Sequence, residues 1–299
     1  MRVRIAVPAT VANLGPGFDI FALALQLQDD INAVSNEEGR ISIDPGADSP
    51  EPLKDPEYNL VTRAYVKAAA DMRTTPHGAS FTVVARIPVA RGFGSSAAAT
   101  LAGVLAAVAL HQAPWDEQHV IECAARFEGH RDNVAAALLG GLAIAAPGAP
   151  ARSMLVPEEL RAVLFIPDIE LRTALSREVV PSQFPRDDAI FNAARCALFV
   201  RAMALEDYAS LNDAMEDRWH QTARSALLPA AHVIMEAARA AGASGAALAG
   251  AGPSVIALTR SDGDAIAAAM HAAAVAANVA GRTMTLPVRN YGARIDVGS

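Results

Sequence analysis

A five-residue turn constrains this chain most. Gly92-Phe93-Gly94-Ser95-Ser96 stands between a β-branched run at 81–89 and a long Ala/Leu run that reads as a helix. The first amides of such a helix lack intrahelical partners and carry the positive end of its dipole, so a turn of this kind is an anion site. Glycines let the backbone approach a polyphosphate without a Cβ in the way, and two serines add hydroxyls for phosphate or for a Mg²⁺ ion. The plainer alternative is that Ser95 or Ser96 only caps the helix while the glycines make the turn. Two familiar phosphate loops fail the comparison. A Walker A loop requires Lys before the hydroxyl residue, whereas Gly94 precedes Ser95. The string also passes as GxGxxA, but a dinucleotide fold needs an acidic residue about 20 positions on, at the end of a second strand. Here Trp115-Asp116-Glu117 opens another helix instead.

At roughly 150 residues per domain, 299 residues allow two modest domains or one large one. The chain is 52% hydrophobic but only 5% aromatic, so its apolar content is mostly Ala, Val, Leu and Ile, as in tightly packed α/β proteins, and disorder is excluded over most of the length. A net charge of -7 with no Lys/Arg-rich run argues against a nucleic-acid partner. Cys123 and Cys196 stand apart without CxxC spacing and read as buried thiols of a cytoplasmic protein. The Ala-rich stretches at 97–110 and 265–280 are weakly apolar and bounded by polar residues, so neither reads as a membrane span.

Strands are expected at 2–7, about Ile41, at 81–89, 142–146, 162–166 and 282–289, with a second apolar run at 20–27 and a hairpin at 246–258. Helices are expected at 60–72 with Asn59 as cap, at 117–127, 132–139, 189–203, 208–219 and 230–241, and from Asp262. The Pro/Ala/Gly-rich segment 147–157 divides the chain into domains 1–150 and 151–299. Strands and helices interleave without strict βαβ alternation, which favours a two-layer α+β arrangement.

Two further glycine-rich passages flank the central turn. Pro8-Ala-Thr-Val-Ala-Asn13-Leu-Gly15-Pro-Gly17-Phe18-Asp19 lies near the start, and Gly242-Ala-Ser-Gly245-Ala-Ala-Leu-Ala-Gly250-Ala-Gly252-Pro253-Ser254 near the end. Together the three resemble the motif set of the GHMP kinases, spread over nearly the whole chain. Within that superfamily the first passage looks like that of the homoserine kinases, as does Glu128-Gly-His130-Arg-Asp132-Asn133-Val134-Ala135 followed by Gly140-Gly141. Ser176-Arg177, Phe191-Asn192 and His220-Gln221 ahead of Arg224 and Pro229 carry the resemblance into the second half. Arg131, Ala136 and Phe93 depart from the family pattern, and none removes a polar group that the chemistry needs.

The resemblance implies a two-domain fold: an N-terminal domain like a ribosomal small-subunit protein with a left-handed βαβ crossover, and a ferredoxin-like C-terminal domain. It implies ATP and Mg²⁺ as cofactors, L-homoserine as acceptor and a homodimer. Nucleotide contacts are expected from Asn59, Pro88, Arg91, Gly92, Phe93, Gly94, Ser95, Ser96 and Ala97, although a surface role suits Arg91 and a cap role suits Asn59. Arg177 and Arg224 are the carboxylate candidates, because guanidinium meets carboxylate through paired hydrogen bonds. Asn13 and Asp19 are expected to receive the ammonium and position the hydroxyl, with Asn133 as a third polar contact. Each also has a structural alternative, as turn former, surface ion pair or helix start. Ser96 and Glu128 are the expected metal ligands, with Glu122 as runner-up, and His130 reads as a structural or hydrogen-bonding histidine. No base for the acceptor hydroxyl stands out, and Asp132 and Asp19 are the acids to test for that role. Another small hydroxy acid, threonine or pantoate, remains an alternative acceptor, and a GHMP-fold binder without turnover an alternative class.

Overall fold

The structure is a computed structural model and describes residues 1–47 and 49–298. The chain opens with β1 (Arg2–Asn13) and β2 (Gly17–Ser35), followed by β3 (Ile41–Asp44), α1 (Leu60–Asp71), β4 (Ala79–Val84), α2 (Ser95–Leu110), α3 (Glu117–Glu128), α4 (Asp132–Leu139), β5 (Leu142–Ile144) and β6 (Arg152–Met154). It continues with β7 (Arg161–Pro167), α5 (Thr173–Glu178), α6 (Arg186–Ala204), α7 (Leu211–Ala214), α8 (His220–Arg224), α9 (Pro229–Ala240), β8 (Gly245–Leu248), β9 (Val255–Thr259), α10 (Asp264–Ala276), β10 (Gly281–Pro287) and β11 (Arg294–Gly298).

The first sheet runs β11-β1-β2-β4-β3, with β5 on β2 and β6 on β5. β1 and β2 pair antiparallel around a tight turn in which Asn13, Leu14 and Gly15 all adopt positive φ. β3 and β4 pair parallel, with α1 carried between them. α2 is apolar on every side and lies in the core against α1. Gly103 permits that approach, because a Cβ there would overlap the Val61 carbonyl. The second sheet, β10-β7-β9-β8, is antiparallel throughout and matches the ferredoxin-like expectation. β7, β8 and β9 are buried on both faces, and the edge strand β10 is partly exposed. Val163 and Phe165 pack with α9 and α10, while Leu164 and Ile166 turn into the core shared with the first sheet, as alternation along a strand requires.

Several expectations change, each for a tertiary reason. β4 stops at Val84 rather than at residue 89, because the amides of Arg86 and Ile87 donate to Asp29 Oδ1 at 2.6 and 2.9 Å instead of to a neighbouring strand. The helix expected at 208–219 is broken. Asp217 accepts from the amides of Trp219 and Gln221 at 3.1 and 2.7 Å and from Asn192 Nδ2 at 2.6 Å, so α8 starts anew at His220. The loop before residue 185 contains the short α5, and β6 and β11, beyond residue 150 by sequence, hydrogen-bond into the first sheet. Among the described residues no helix is long and apolar enough to cross a membrane.

Candidate active site

The glycine passages meet at one cavity of about 1040 Å³ whose walls come from both halves of the chain. Gly94 sits at the cap position of α2 with φ +67°, and no side chain caps the helix. Ser95 and Ser96 are therefore helical residues, and the first amides of α2 open onto the cavity. Thr10 N donates to Phe93 O at 3.0 Å, which fastens the turn to β1. Gly92 is pressed against the third passage, where a Cβ would overlap the Ala249 carbonyl. Gly250 N donates to Ala12 O at 3.1 Å, and Asn13 Nδ2 donates to Gly250 O at 2.8 Å, so the first and third passages are bonded to each other.

Glu128 ends α3 beside this helix mouth. Its Oε1 accepts the Ser96 hydroxyl at 2.9 Å and the Thr100 hydroxyl as well. An exposed hydroxyl and a carboxylate at the cavity wall are the hard oxygen donors that Mg²⁺ takes, with its other positions left to phosphate and water. Glu122 instead pairs with Arg131 at 2.6 Å and does not line the cavity.

Charge gathers on another part of the cavity wall. Arg177, on α5, donates from both Nη atoms to the two oxygens of Asp19, with Nη1 2.9 Å from Oδ2. Arg224, on α8, is 1% exposed and has no carboxylate partner among the described residues. Its Nε donates to Ser176 O at 3.0 Å, and its Nη1 donates to His220 Nδ1 at 2.8 Å and to Gly250 O at 3.3 Å. The Phe18 ring separates the two cations, 5.5 Å from the Arg177 Cζ and 5.4 Å from the Arg224 Cζ. Burial, then the nearby Arg177 charge, pull the Arg224 pKa down to about 10, which leaves it charged at neutral pH. Asn133 Oδ1 accepts from Thr10 Oγ1 at 2.8 Å, which leaves Nδ2 as the donor on the cavity side. His130 Nδ1 lies 2.9 Å from Asp132 Oδ1, which also accepts from Asn133 N at 2.7 Å.

Of the residues picked from the sequence, Asn13, Asp19, Asn59, Gly92, Phe93, Gly94, Ser95, Ser96, Ala97, Glu128, Asn133, Arg177 and Arg224 line this cavity. Pro88 and Arg91 do not. Arg91 turns away, donating to Asp168 O at 3.0 Å and standing 3.6 Å from Glu170. Asn13 and Asn59 reach the cavity, but their amides are engaged internally. Asn13 Oδ1 accepts from Asp19 N at 3.2 Å, and Asn59 caps α1 through Val61 N and donates to Leu53 O. Arg224 is no surface residue. Sequence reasoning gave no role to Phe18 or Asp29, and it named Asp132 only as an acid to test for the base; all three are cavity walls.

Residues 59–141 match the family model of the GHMP kinase N-terminal domain, and residues 199–276 that of the GHMP kinase C-terminal domain. The chain is 38% identical to a homoserine kinase of Microchaete diplosiphon over 97% of its own length and 96% of that protein's. The chain belongs to the homoserine kinase family of GHMP kinases. A homoserine kinase of Carboxydothermus hydrogenoformans is 38% identical over 86% of this chain and 85% of that one. The crystal structure of homoserine kinase from Cytophaga hutchinsonii superposes with a TM-score of 0.88 at 28% identity, covering 99% of this chain and 97% of that one. A mevalonate kinase shares the fold, with a TM-score of 0.68 at 15% identity over 96% of this chain and 99% of that one.

Two histidines, His220 fully buried and His130 partly so, give this family member opposing pH responses. Burial lowers the pKa of His220 despite Asp217 at 3.8 Å. The unfolded chain therefore takes up that proton first, and stability falls as pH drops below about 6.5. For His130, burial opposes charging but the Asp132 hydrogen bond overcomes it, so the pKa rises, and its contribution is lost as pH climbs through the folded value. Melting curves at pH 7.5 and 5.5 are expected to show a smaller acid-induced loss for His220→Gln than for the parent, with a ceiling near 1.4 kcal/mol per pH unit for one proton. Equal losses would remove His220 as the source.

Proposed function

We propose that this chain transfers the γ-phosphoryl group of ATP to the side-chain hydroxyl of L-homoserine, giving O-phospho-L-homoserine for threonine biosynthesis. One observation carries the reading: a cavity that receives an uncapped helix start is also lined by two guanidiniums, of which Arg177 is paired with Asp19 and Arg224 has no carboxylate bonded to it among the described residues. The excess cation suits the carboxylate of a small amino acid, and Asp19 suits its ammonium. Pantoate, lacking an ammonium, would leave Asp19 without that role.

Phosphoryl transfer through a loose transition state asks mainly for alignment and for neutralised charge. The amides of Ser95, Ser96 and Ala97 and the backbone of Gly92 and Gly94 cradle the phosphates at the positive end of the α2 dipole. Asn133 Nδ2, its direction fixed by Thr10, donates toward the transferred group. Ser96 and Glu128 would hold Mg²⁺, which supplies neutralising charge to the phosphates when bound. Both acidic candidates for a base are already hydrogen-bonded. Asp19 gives both oxygens to Arg177, and Asp132 Oδ1 is shared by the His130 ring and the Asn133 amide. The acceptor hydroxyl accordingly keeps its proton until late and passes it to an oxygen of the transferred phosphoryl group, leaving ADP and the phosphate monoester.

ADP release measured with homoserine, threonine and pantoate is expected to show turnover with homoserine and little with the others; turnover with none would favour a binder. In the same assay Asp132→Asn is expected to lower kcat by no more than about tenfold. A loss beyond about 10³-fold with unchanged homoserine KM would make Asp132 the base. We further assign the chain to the cytoplasm, on its free thiols Cys123 and Cys196, and to a homodimer, which sedimentation tests against the 31.1 kDa chain mass.

A further inference from the structure

We propose that His220 is a positioning residue of the amino-acid site: its neutral ring aims the Arg224 guanidinium and ties it to the turn that carries Asp19. The inference rests on the reading of Arg224 as the carboxylate ligand.

An arginine has five N–H donors and no acceptor. In Arg224 the Nε–H goes to Ser176 O, and Nη1 serves His220 Nδ1 and Gly250 O, which leaves the two N–H groups of Nη2 for a ligand. The only side chain among these acceptors is His220. Because guanidinium must donate, Nδ1 must accept, so the proton of the neutral ring sits on Nε2 and is donated to Gly15 O at 2.7 Å. The ring is fully buried and stacks on Phe18 with centroids 5.3 Å apart. Gly15 lies in the β1–β2 turn four residues before Asp19, and α7 presses on it so closely that a Cβ would overlap the Met215 carbonyl. One ring thus bridges the two walls of the amino-acid pocket.

The choice of a neutral acceptor has a physical reason. A carboxylate in its place would hold Arg224 equally well, but it would neutralise the guanidinium and compete with the incoming carboxylate. The nearest acid to the ring, Asp217, is kept out of that role. It stands 3.8 Å from Nε2 and is occupied by Asn192 and the amides of Trp219 and Gln221. Imidazole fixes direction and leaves the charge available.

Three variants separate the outcomes. His220→Leu fills the space without an acceptor and is expected to raise the homoserine KM about tenfold or more, with kcat and the ATP KM within about twofold. His220→Gln offers one acceptor and one donor and is expected to bring the homoserine KM back to within about threefold of the parent. Arg224→Ala is the reference: if it leaves the homoserine KM unchanged, the carboxylate reading fails, whereas an effect of Arg224→Ala without one of His220→Leu overturns the positioning role alone. Should His220→Leu not fold, side-chain ¹H–¹⁵N spectra of the parent decide. The expected result is an Nε2–H tautomer at neutral pH whose Nδ1 resonance moves on adding homoserine and not on adding ADP. A protonated ring, or an Nδ1 indifferent to homoserine, overturns the proposal.

Discussion

Replacing Arg224 by alanine is expected to raise the homoserine KM by about 10²-fold or more while the ATP KM stays within about threefold. The magnitude follows from burial. The side chain is 1% exposed, has no carboxylate partner among the described residues and works in a water-poor site, where truncating one member of a buried charge pair costs about 2–5 kcal/mol. The split between substrates follows from what Arg224 touches, since it stands with Phe18, Arg177 and Gly250 and none of its hydrogen bonds goes to the glycine turn at 92–96. Arg224→Lys is expected to recover only part of the loss, because one ammonium cannot serve Ser176 O, His220 and Gly250 O and still present two donors to a carboxylate. Arg177→Ala should also raise the homoserine KM, but it frees Asp19 at the same time, so its effect will not add to that of Arg224→Ala. Steady-state kinetics with each substrate varied, alongside melting curves, check this. An unchanged homoserine KM in a folded Arg224→Ala protein removes the amino-acid site from this part of the cavity.

Gly94→Ala is expected to lower kcat by about 10²-fold in a protein that still folds. Gly94 holds φ +67°, a left-handed conformation that costs an L-residue about 1–2 kcal/mol. The larger effect is steric, since the added methyl would overlap Thr10 Oγ1 and lie 3.0 Å from Asn133 Oδ1. It would thus part the Thr10–Asn133 hydrogen bond that aims the Asn133 amide and displace the start of α2, and displacements near 1 Å in a positioned site cost on this scale. Gly148→Ala is the matched control. Gly148 has φ +71° with nothing within 4 Å of a Cβ, so the backbone penalty should lower the melting temperature while kcat stays at the parent value. Equal kinetics for the two variants would show that the glycine turn does not place the phosphates.

The parts of this protein legible from residue order are those whose physics is local. α4 begins and ends where the string Asp132 to Leu139 indicated, and Asn59 caps α1 through its own side chain, because capping and helical periodicity act within a few residues. The anion site at 92–96 was legible for the same reason: a glycine turn ahead of a helix leaves amides unpaired wherever it occurs. Ser96 and Glu128 were paired through the family resemblance, and the fold puts them 2.9 Å apart.

What the string concealed depends on groups brought together from a distance. Asp29 ends β4 by capturing amides 57 and 58 positions away, and β11 joins β1 across nearly the whole chain, neither of which has any local mark. Arg91 and Arg224 look alike in sequence, each beside a glycine-rich or polar stretch, yet one pairs outward with Glu170 while the other is buried with a neutral histidine for company. Sequence by itself determined the helix mouth that receives anions, because backbone amides need no partner from afar. Only the folded chain decided which guanidinium keeps its charge unspent, because that depends on which acceptors the two halves bring within 3 Å of it.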